Sequence, residues 1–585
     1  MLKFEEYISD IPDVPFDNFA KMLDNQSRQF ANIDFIRYRS GKQREFTRWT
    51  YSRFGEECRR VARGLLAAGL SKGDRVVLWS ENRPEWMSVW MGTVIAGICV
   101  VPVDFLCTEE ESLNIIKITR AKAFFYSGRK KKFADSLPSN GISLSVSVCI
   151  SPESEDAPAG QKSEYDLFGV NADKQALPPI DSIAANDPCS IVFTSGTTGF
   201  AKGVTLSHKN IIANASAAVR ILRPGSKDVF MDVLPLHHTY PTTCSFITPF
   251  AVGIPTVIAE KIVGKVVIDD IKDGGVTFLI AVPLLYDKVM AGIEAGYKKL
   301  SPIIRAPLNL LRKVALAKAR KGNADWGRKV FKFIRKKANL DSIYIMVAGG
   351  GALSIKTADF FDSFGFNIVH GYGMSENSPL ISVNTPFHKR NESVGLPVSY
   401  TEVKIVDAGP DGIGEIACKS PSVMLGYFEN DEATKEIITE DGWLLTGDLG
   451  CIDEDGFIYI RGRKKNLIVG SGGKNVYPEE VEAHFAGSRV IAEILIVGKK
   501  TTSGEIIYAV TVPNYELIKS DYPGKESNDI FVFDLIKKEI DETNRSLPVY
   551  KKVSDFCIRK EPFEKNAQQK IRRFLYKSYE NLSDR

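Results

Sequence analysis

Helix-like and strand-like segments alternate between residues 47 and 103, and this limits the possible folds more than any other feature. In the stretch FTRWTYSRFGEECRRVARGLLAAGLSKGDRVVLWSEN, Ser52 is placed to cap a helix whose apolar face is Phe54, Val61, Leu65 and Leu66. Gly69 stops it, and Val76–Trp79 reads as a strand; a second helix and the strand Ile98–Val103 follow. Strands separated by helices predict a largely parallel sheet covered by helices, hence an α/β fold. With 585 residues, two or more domains are expected.

Two uncharged runs are long enough to test as membrane spans: the eighteen residues Trp86–Val103 and the twenty residues Tyr240–Ala259. Gly92, Gly97 and Pro102 interrupt the first; Pro241, Pro249, Gly253 and Pro255 interrupt the second. Each reads as a buried helix followed by a buried strand. The N-terminus MLKFEEYISDIPDVPF has acids and prolines where a secretion signal needs an apolar core. Nine scattered cysteines without a CxxC pair argue against a disulfide framework or zinc site, and a cytoplasmic, reducing location is expected. The net charge of +4 gives no general preference for nucleic acid.

The stretch IVFTSGTTGFAKGV, Ile191–Val204, places small hydroxyl residues and glycines between two apolar runs. Thr194, Ser195, Gly196, Thr197, Thr198 and Gly199 offer hydroxyls and N–H groups on a backbone that a ligand can approach closely, and Lys202 adds positive charge. That donor set suits a polyphosphate. The spacing is GxxGxxKG rather than the GxxxxGK[ST] of a Walker loop. A plain polar turn between strands is the other reading.

The whole stretch resembles the phosphate loop of the acyl-adenylate-forming superfamily, whose usual form is TSGTTGxPKG; Ala201 stands at the proline. Further motifs of that family follow in order. VLPLHHTY, Val233–Tyr240, resembles its LPLxH segment, which would put His238 in the acyl pocket. IYIMVAGGGAL, Ile343–Leu353, matches a strand ending in three glycines: Gly349 beside the acyl group, Gly350 and Gly351 beside the nucleotide. VHGYGMSEN, Val369–Asn377, resembles the YGxTE motif, with Tyr372 and Gly373 at the adenine, Ser375 at the α-phosphate and Glu376 as a magnesium ligand, a role in which Thr194 is also expected. In GWLLTGDLG, Asp448 matches the ribose-binding aspartate, and in IYIRGRKKN, Arg463 matches the ribose-binding arginine and Lys465 the hinge. FEKNAQQKIRR, Phe563–Arg573, resembles the TxxGKxxR signature; Gln569 replaces its glycine, and the adenylation lysine maps to Lys570.

This resemblance implies a large N-terminal domain, residues 1–462, whose α/β sheets are joined by a small distorted β-barrel at 394–460. A small mobile α+β domain, residues 463–585, would follow. It implies an ATP-dependent fatty acid–CoA ligase of the long-chain type, with magnesium, ATP and CoA, whose catalytic residues are Lys570, Glu376 and Lys202. Acyl-carrier protein is the other acceptor to weigh, and an inactive acyl- or nucleotide-binding protein is the rival of a different class. The resemblance leaves the oligomeric state open. Residues 298–337 form an insertion with fourteen Lys or Arg against the single acid Asp325. Ile304, Leu308, Leu311 and Ala315 sit at helical spacing there, as do Trp326, Val330 and Ile334. A basic amphipathic helix fits peripheral contact with an anionic membrane; the alternative is a solvated face over an ordinary core stripe.

Overall fold

The computed structural model describes the chain except residues 1–3, 40–44, 152–163, 195–201, 260–263, 470–473, 486, 502–503, 566–570 and 577–585. Two compact units are present: Met1–Thr194 with Ala201–Val403 and Cys418–Leu444, and Ser195–Phe200 with Lys404–Ala417 and Leu445–Arg585.

The first unit holds two sheets. In the seven-stranded sheet, Arg75–Trp79 lies between Cys99–Pro102 and Ala123–Tyr126, parallel to both, as the helix–strand alternation predicts. Pro188–Thr194 continues it parallel to Cys99–Pro102, and Lys202–Ser207 folds back antiparallel. The nine-stranded sheet is parallel at its centre, where Phe230–Asp232, Phe278–Ala281, Ile345–Ala348 and Ile368–Gly373 run side by side. Antiparallel strands close both of its edges.

The helix after the first hairpin spans Tyr51–Ala67 and is capped by Thr50, whose hydroxyl accepts from Arg53 N–H, rather than by Ser52. Thr50 sits in extended backbone at the end of its strand, the geometry an N-cap needs; Ser52 is already inside the first turn. The first uncharged run is the helix Pro84–Ile95 followed by the strand Cys99–Pro102, both buried. Trp79, Trp86 and Trp90 are fully buried around it, each side chain stabilising the fold by roughly 1.5–3 kcal/mol or more. The second run is buried helical turns through Thr239–Ala251 followed by the strand Thr256–Ile258. Among the described residues no helix is long and apolar enough to cross a membrane, and no disulfide is present.

The basic insertion folds as the helices Pro302–Ala319, Asp325–Val330 and Lys332–Lys337. Its Leu308, Leu311 and Ala315, with Trp326, Val330 and Ile334, pack on the core of the nine-stranded sheet, so both stripes are core faces except at Ile304, which is 50% exposed. Phe331 is fully buried against Phe364. Arg335 belongs to the interior and not to the cationic surface. It is 1% exposed, donates to the carbonyls of Gly365 (2.8 Å) and Ile343, and stacks over Phe366 at 4.0 Å. Burial pulls its guanidinium down to about 9.

In the second unit, the strands expected as a barrel form a four-stranded sheet in the order Glu402–Val406, Gly414–Lys419, Leu444–Ile452, Ile458–Arg463. Beyond it lies an α+β layer. Ile491–Thr501, Gly504–Pro513 and Asp555–Ile558 form a sheet, packed with the helices Pro478–Ala483, Tyr515–Asp521 and Asp529–Ser546 around Ile496, Ala509 and Ile536.

Candidate active site

In the first unit the candidates converge on three chain segments. The hairpin of Pro188–Thr194 and Lys202–Ser207 sets Thr194 opposite Lys202, and the Thr194 hydroxyl reaches the Lys202 carbonyl at 3.4 Å. Ser195, Gly196, Thr197, Thr198 and Gly199 lie outside the described residues. Lys202 projects its ammonium over the Tyr427 ring, 4.9 Å from its centre, and stands 3.9 Å from the exposed Glu436 carboxylate. Tyr427 reaches this position because Gly426–Tyr427 pairs with Val204–Thr205 on the far side of the hairpin.

The Tyr427 hydroxyl donates to Glu376 Oε1 at 2.8 Å. Burial, then the neighbouring Glu376 carboxylate, pushes the tyrosine far above its ordinary pKa, so it acts only as a donor. Glu376 is buried in the short turn Ser375–Asn377, with its backbone carbonyl held by Met424 N–H at 2.8 Å. The segment before Tyr427 is pinned by Asn210, whose amide donates to the carbonyls of Pro421 and Val423. A buried carboxylate fixed through Oε1, near a lysine, fits a hard cation carried by a polyphosphate.

Thr239 Oγ1 donates to Ser375 Oγ at 3.3 Å, which joins the turn after His238 to the YGMSE segment. Tyr372 ends the strand Ile368–Gly373 and is mostly buried. Gly373 is required sterically: a Cβ there would stand 2.0 Å from the Pro379 carbonyl oxygen. The glycines 349–351 follow the strand Ile345–Ala348. Gly349 lies flat against the Tyr240 ring, where a Cβ would come within 2.7 Å of ring carbon. Gly350 has a φ of +76°, and the Gly351 carbonyl receives the His370 imidazole at 3.0 Å. Burial pulls His370 down to about 4, so it is neutral and donates.

The second unit carries the remaining candidates. Asp448 and Arg463 are opposite one another on neighbouring antiparallel strands, and Arg463 Nε lies 2.8 Å from Asp448 Oδ1. Thr446 Oγ1 accepts from Asp448 N–H and donates to the Ile416 carbonyl, which fixes the aspartate's backbone. Lys465 sits in the turn Lys464–Asn466, and both its neighbours are tied: Lys464 to Glu415 at 2.7 Å, Asn466 to Glu479 at 2.6 Å. Lys570 lies outside the described residues. The chain on either side of it is anchored: Glu493 accepts from Phe563 N–H and Lys565 Nζ, Lys565 bridges to Ile571, and Arg573 donates to the half-buried Glu482.

Tyr427, Thr239, Tyr240 and His370 are parts of these arrangements that the sequence reading does not single out. Only His370 had a local signal, as a histidine inside an otherwise apolar strand; the others take their places through pairing or packing distant in sequence.

The AMP-binding enzyme family matches residues 23–428. A peroxisomal long chain acyl-CoA synthetase of Arabidopsis thaliana is 27% identical over 572 residues, covering 92% of this chain and 81% of that protein. A chloroplastic long-chain-fatty-acid–acyl-carrier-protein ligase of the same plant is 26% identical, covering 84% of this chain and 76% of its own. The solved structure of o-succinylbenzoate coenzyme A synthetase from Bacillus subtilis, in complex with ATP and a magnesium ion, superposes with a TM-score of 0.71 at 21% identity, over 94% of this chain and 98% of that one. The chain thus belongs to the AMP-binding enzyme family and is an acyl-adenylate-forming ligase of the AMP-forming acid–thiol class.

Proposed function

We propose that this enzyme activates a long-chain fatty acid with ATP and passes the acyl group to the thiol of CoA. The observation that carries the reading is the line Lys202–Tyr427–Glu376, which sets a cation and a fixed carboxylate at the base of the phosphate-loop hairpin. The long-chain preference rests on the relatives named above.

The first half-reaction forms a bond between a carboxylate oxygen of the acid and the α-phosphorus of ATP and breaks the bond to pyrophosphate. Charge neutralisation and alignment are the main demands, because both partners are anionic. Lys202 and the hydroxyls of Thr194 and Ser375 supply donors. Glu376, with Thr194 beside the hairpin, would hold a magnesium ion, whose charge would offset that of the phosphates. Tyr427 holds Glu376 in orientation. Asp448 and Arg463 would bind the ribose, Tyr372 and the glycines 350–351 the adenine, and His238 and Gly349 the acyl chain. Lys570 would act only in adenylation, with Lys465 as the pivot between half-reactions. In the second, the thiol sulfur attacks the acyl carbon, loses its proton and expels AMP.

We place the enzyme in the cytoplasm with peripheral membrane contact. The support is the outward face of the helix Pro302–Ala319, where Ile303 (86% exposed), Leu310 (65%) and Val314 (37%) share one side. Exposed Lys313, Lys329, Lys332 and Lys336 belong to the same insertion.

The test is pyrophosphate release across carboxylic acids of graded chain length, alone, with CoA and with acyl-carrier protein. Turnover rising with chain length and completed by CoA supports the reading. Release with short or aromatic acids only overturns the chain-length assignment, and completion by carrier protein alone overturns the acceptor.

A further inference from the structure

Two strand ends meet in the first unit at a cluster of three side chains, of which the adenylation reading above uses His238 and leaves Asp104 and His237 unexplained. His237 and His238 follow the strand Phe230–Asp232, Asp104 follows the strand Cys99–Pro102, and one donor atom of each lies within 4.8 Å of the other two. His237 Nε2 is 3.6 Å from Asp104 Oδ2, and the two imidazole centres are 3.9 Å apart.

All three groups are held from behind. Asp104 Oδ1 accepts Leu106 N–H at 2.9 Å, and the Asp104 carbonyl accepts Trp79 Nε1 at 2.8 Å, which leaves Oδ2 toward the imidazoles. The histidine turn is tied to Asn82, which donates to the Leu234 carbonyl and accepts Leu236 N–H. Thr242 donates to the Leu236 carbonyl, and His238 N–H to that of Pro235. These bonds fix the backbone that carries the two imidazoles and orient the Asp104 carboxylate.

His237 is 6% exposed, and among the described residues its Nε2 has no hydrogen-bond partner. The gap to Asp104 is too long for a hydrogen bond. No lysine or arginine among the described residues lies within ion-pair distance of Asp104. A buried nitrogen lone pair, a second imidazole and a carboxylate oxygen therefore face one another. Ligand–ligand edges around tetrahedral zinc are about 3.3–3.5 Å, given bonds of about 2.0–2.1 Å. The 3.6 Å edge already fits, and small rotations bring in His238.

We propose that Asp104, His237 and His238 bind a divalent transition cation, zinc above all, through one carboxylate oxygen and two imidazole nitrogens, with a remaining position open to water. The nitrogen donors separate this site from one for magnesium or calcium, which take oxygen ligands. Occupancy ties the end of the nine-stranded sheet to the end of the seven-stranded one.

The full chain, treated with a chelator and then titrated with cobalt(II), tests this. The expected result is one equivalent bound with a visible d–d band that zinc abolishes, and no near-ultraviolet thiolate band. His237→Ala and Asp104→Asn should each lower cobalt affinity at least tenfold, and zinc should raise the melting temperature of the parent more than that of either variant. Asp104→Asn is near-isosteric, so it remains informative if the histidine variant fails to fold. Equal cobalt binding by parent and variants, a thiolate band from the cysteines, or no stoichiometric binding by the parent overturns the proposal.

Discussion

The Tyr427 hydroxyl donates to Glu376 Oε1 at 2.8 Å, and this hydrogen bond spans 51 residues of sequence. Glu376 comes from the turn between two strands of the nine-stranded sheet, while Tyr427 sits on the edge of the seven-stranded sheet. The bond therefore couples the phosphate-loop hairpin to the carboxylate expected at the magnesium ion. Lys202, over the face of the same ring, completes the coupling.

Tyr427→Phe should lower kcat/KM for pyrophosphate release by roughly 10- to 100-fold, because a hydrogen bond to a charged group contributes about 1.5–3 kcal/mol. The ring still packs under Lys202, so the melting temperature should change little. The loss should shrink at high magnesium if Tyr427 acts by orienting Glu376. Parent-like activity at low magnesium would show that the bond is idle.

Glu376→Gln keeps the shape and the Tyr427 contact but removes the charge. Magnesium-dependent turnover should fall by on the order of several kcal/mol of transition-state stabilisation, with circular dichroism unchanged. Near-normal turnover at low magnesium sinks the ligand assignment.

Lys570→Ala should abolish acyl-AMP formation while thioester formation from supplied acyl-AMP survives. Measuring the two half-reactions separately decides the matter. Equal loss of both would make the lysine structural.

Where an arrangement is built from contiguous residues, the sequence already displays it. Ser375 and Glu376 stand in one motif, and the Thr194–Lys202 hairpin follows from two apolar runs around a glycine-rich turn. Tyr427 was illegible because its strand, Gly426–Tyr427, is two residues long and has no periodicity; only its pairing with Val204–Thr205 gives it meaning. In the insertion, helical spacing revealed apolar stripes but not which one faced inward. Leu308 and Leu311 turn to the core, while Ile303 and Leu310 turn out. Arg335 looked like one more solvated charge in a basic run. Two carbonyls and the face of Phe366, all distant in sequence or supplied by the fold, let it be buried.

Glu482 gives the second unit a pH dependence. Burial pushes its carboxyl from the ordinary 4.5 up to about 7, against the opposing pull of Arg573. The folded chain holds this proton more tightly than the unfolded chain does. Its contribution is therefore fully present below about 4.5 and is lost as pH rises through about 7. Glu482→Gln should flatten the fall in melting temperature between those values, a difference on the order of 1–3 kcal/mol. Parallel profiles for parent and variant would refute the assignment. Asp232, pushed up to about 8 by burial, acts in the same direction in both proteins and cancels in the comparison.

The insertion should bind anionic vesicles reversibly. Ile303, Leu310 and Val314 form an outward apolar strip, Phe333 is 54% exposed, and Lys313, Lys329, Lys332 and Lys336 are exposed in the same segment. Each lysine near an anionic surface contributes about 1 kcal/mol, screened within a Debye length. The apolar strip adds a part that salt does not screen. Cosedimentation with anionic liposomes should thus be strong at low salt and fall at high salt to the weak, salt-independent level seen with neutral liposomes. Lys329→Glu, Lys332→Glu and Lys336→Glu together should abolish the salt-sensitive part, and Leu310→Asp should weaken binding at low salt. Activity on a soluble medium-chain acid should persist in both. Arg335→Glu is the contrasting control: it places an acid in the interior beside Phe366 and should unfold the chain rather than merely release it from lipid. Parent-like sedimentation of the triple lysine variant would reduce this basic segment to a solvated face.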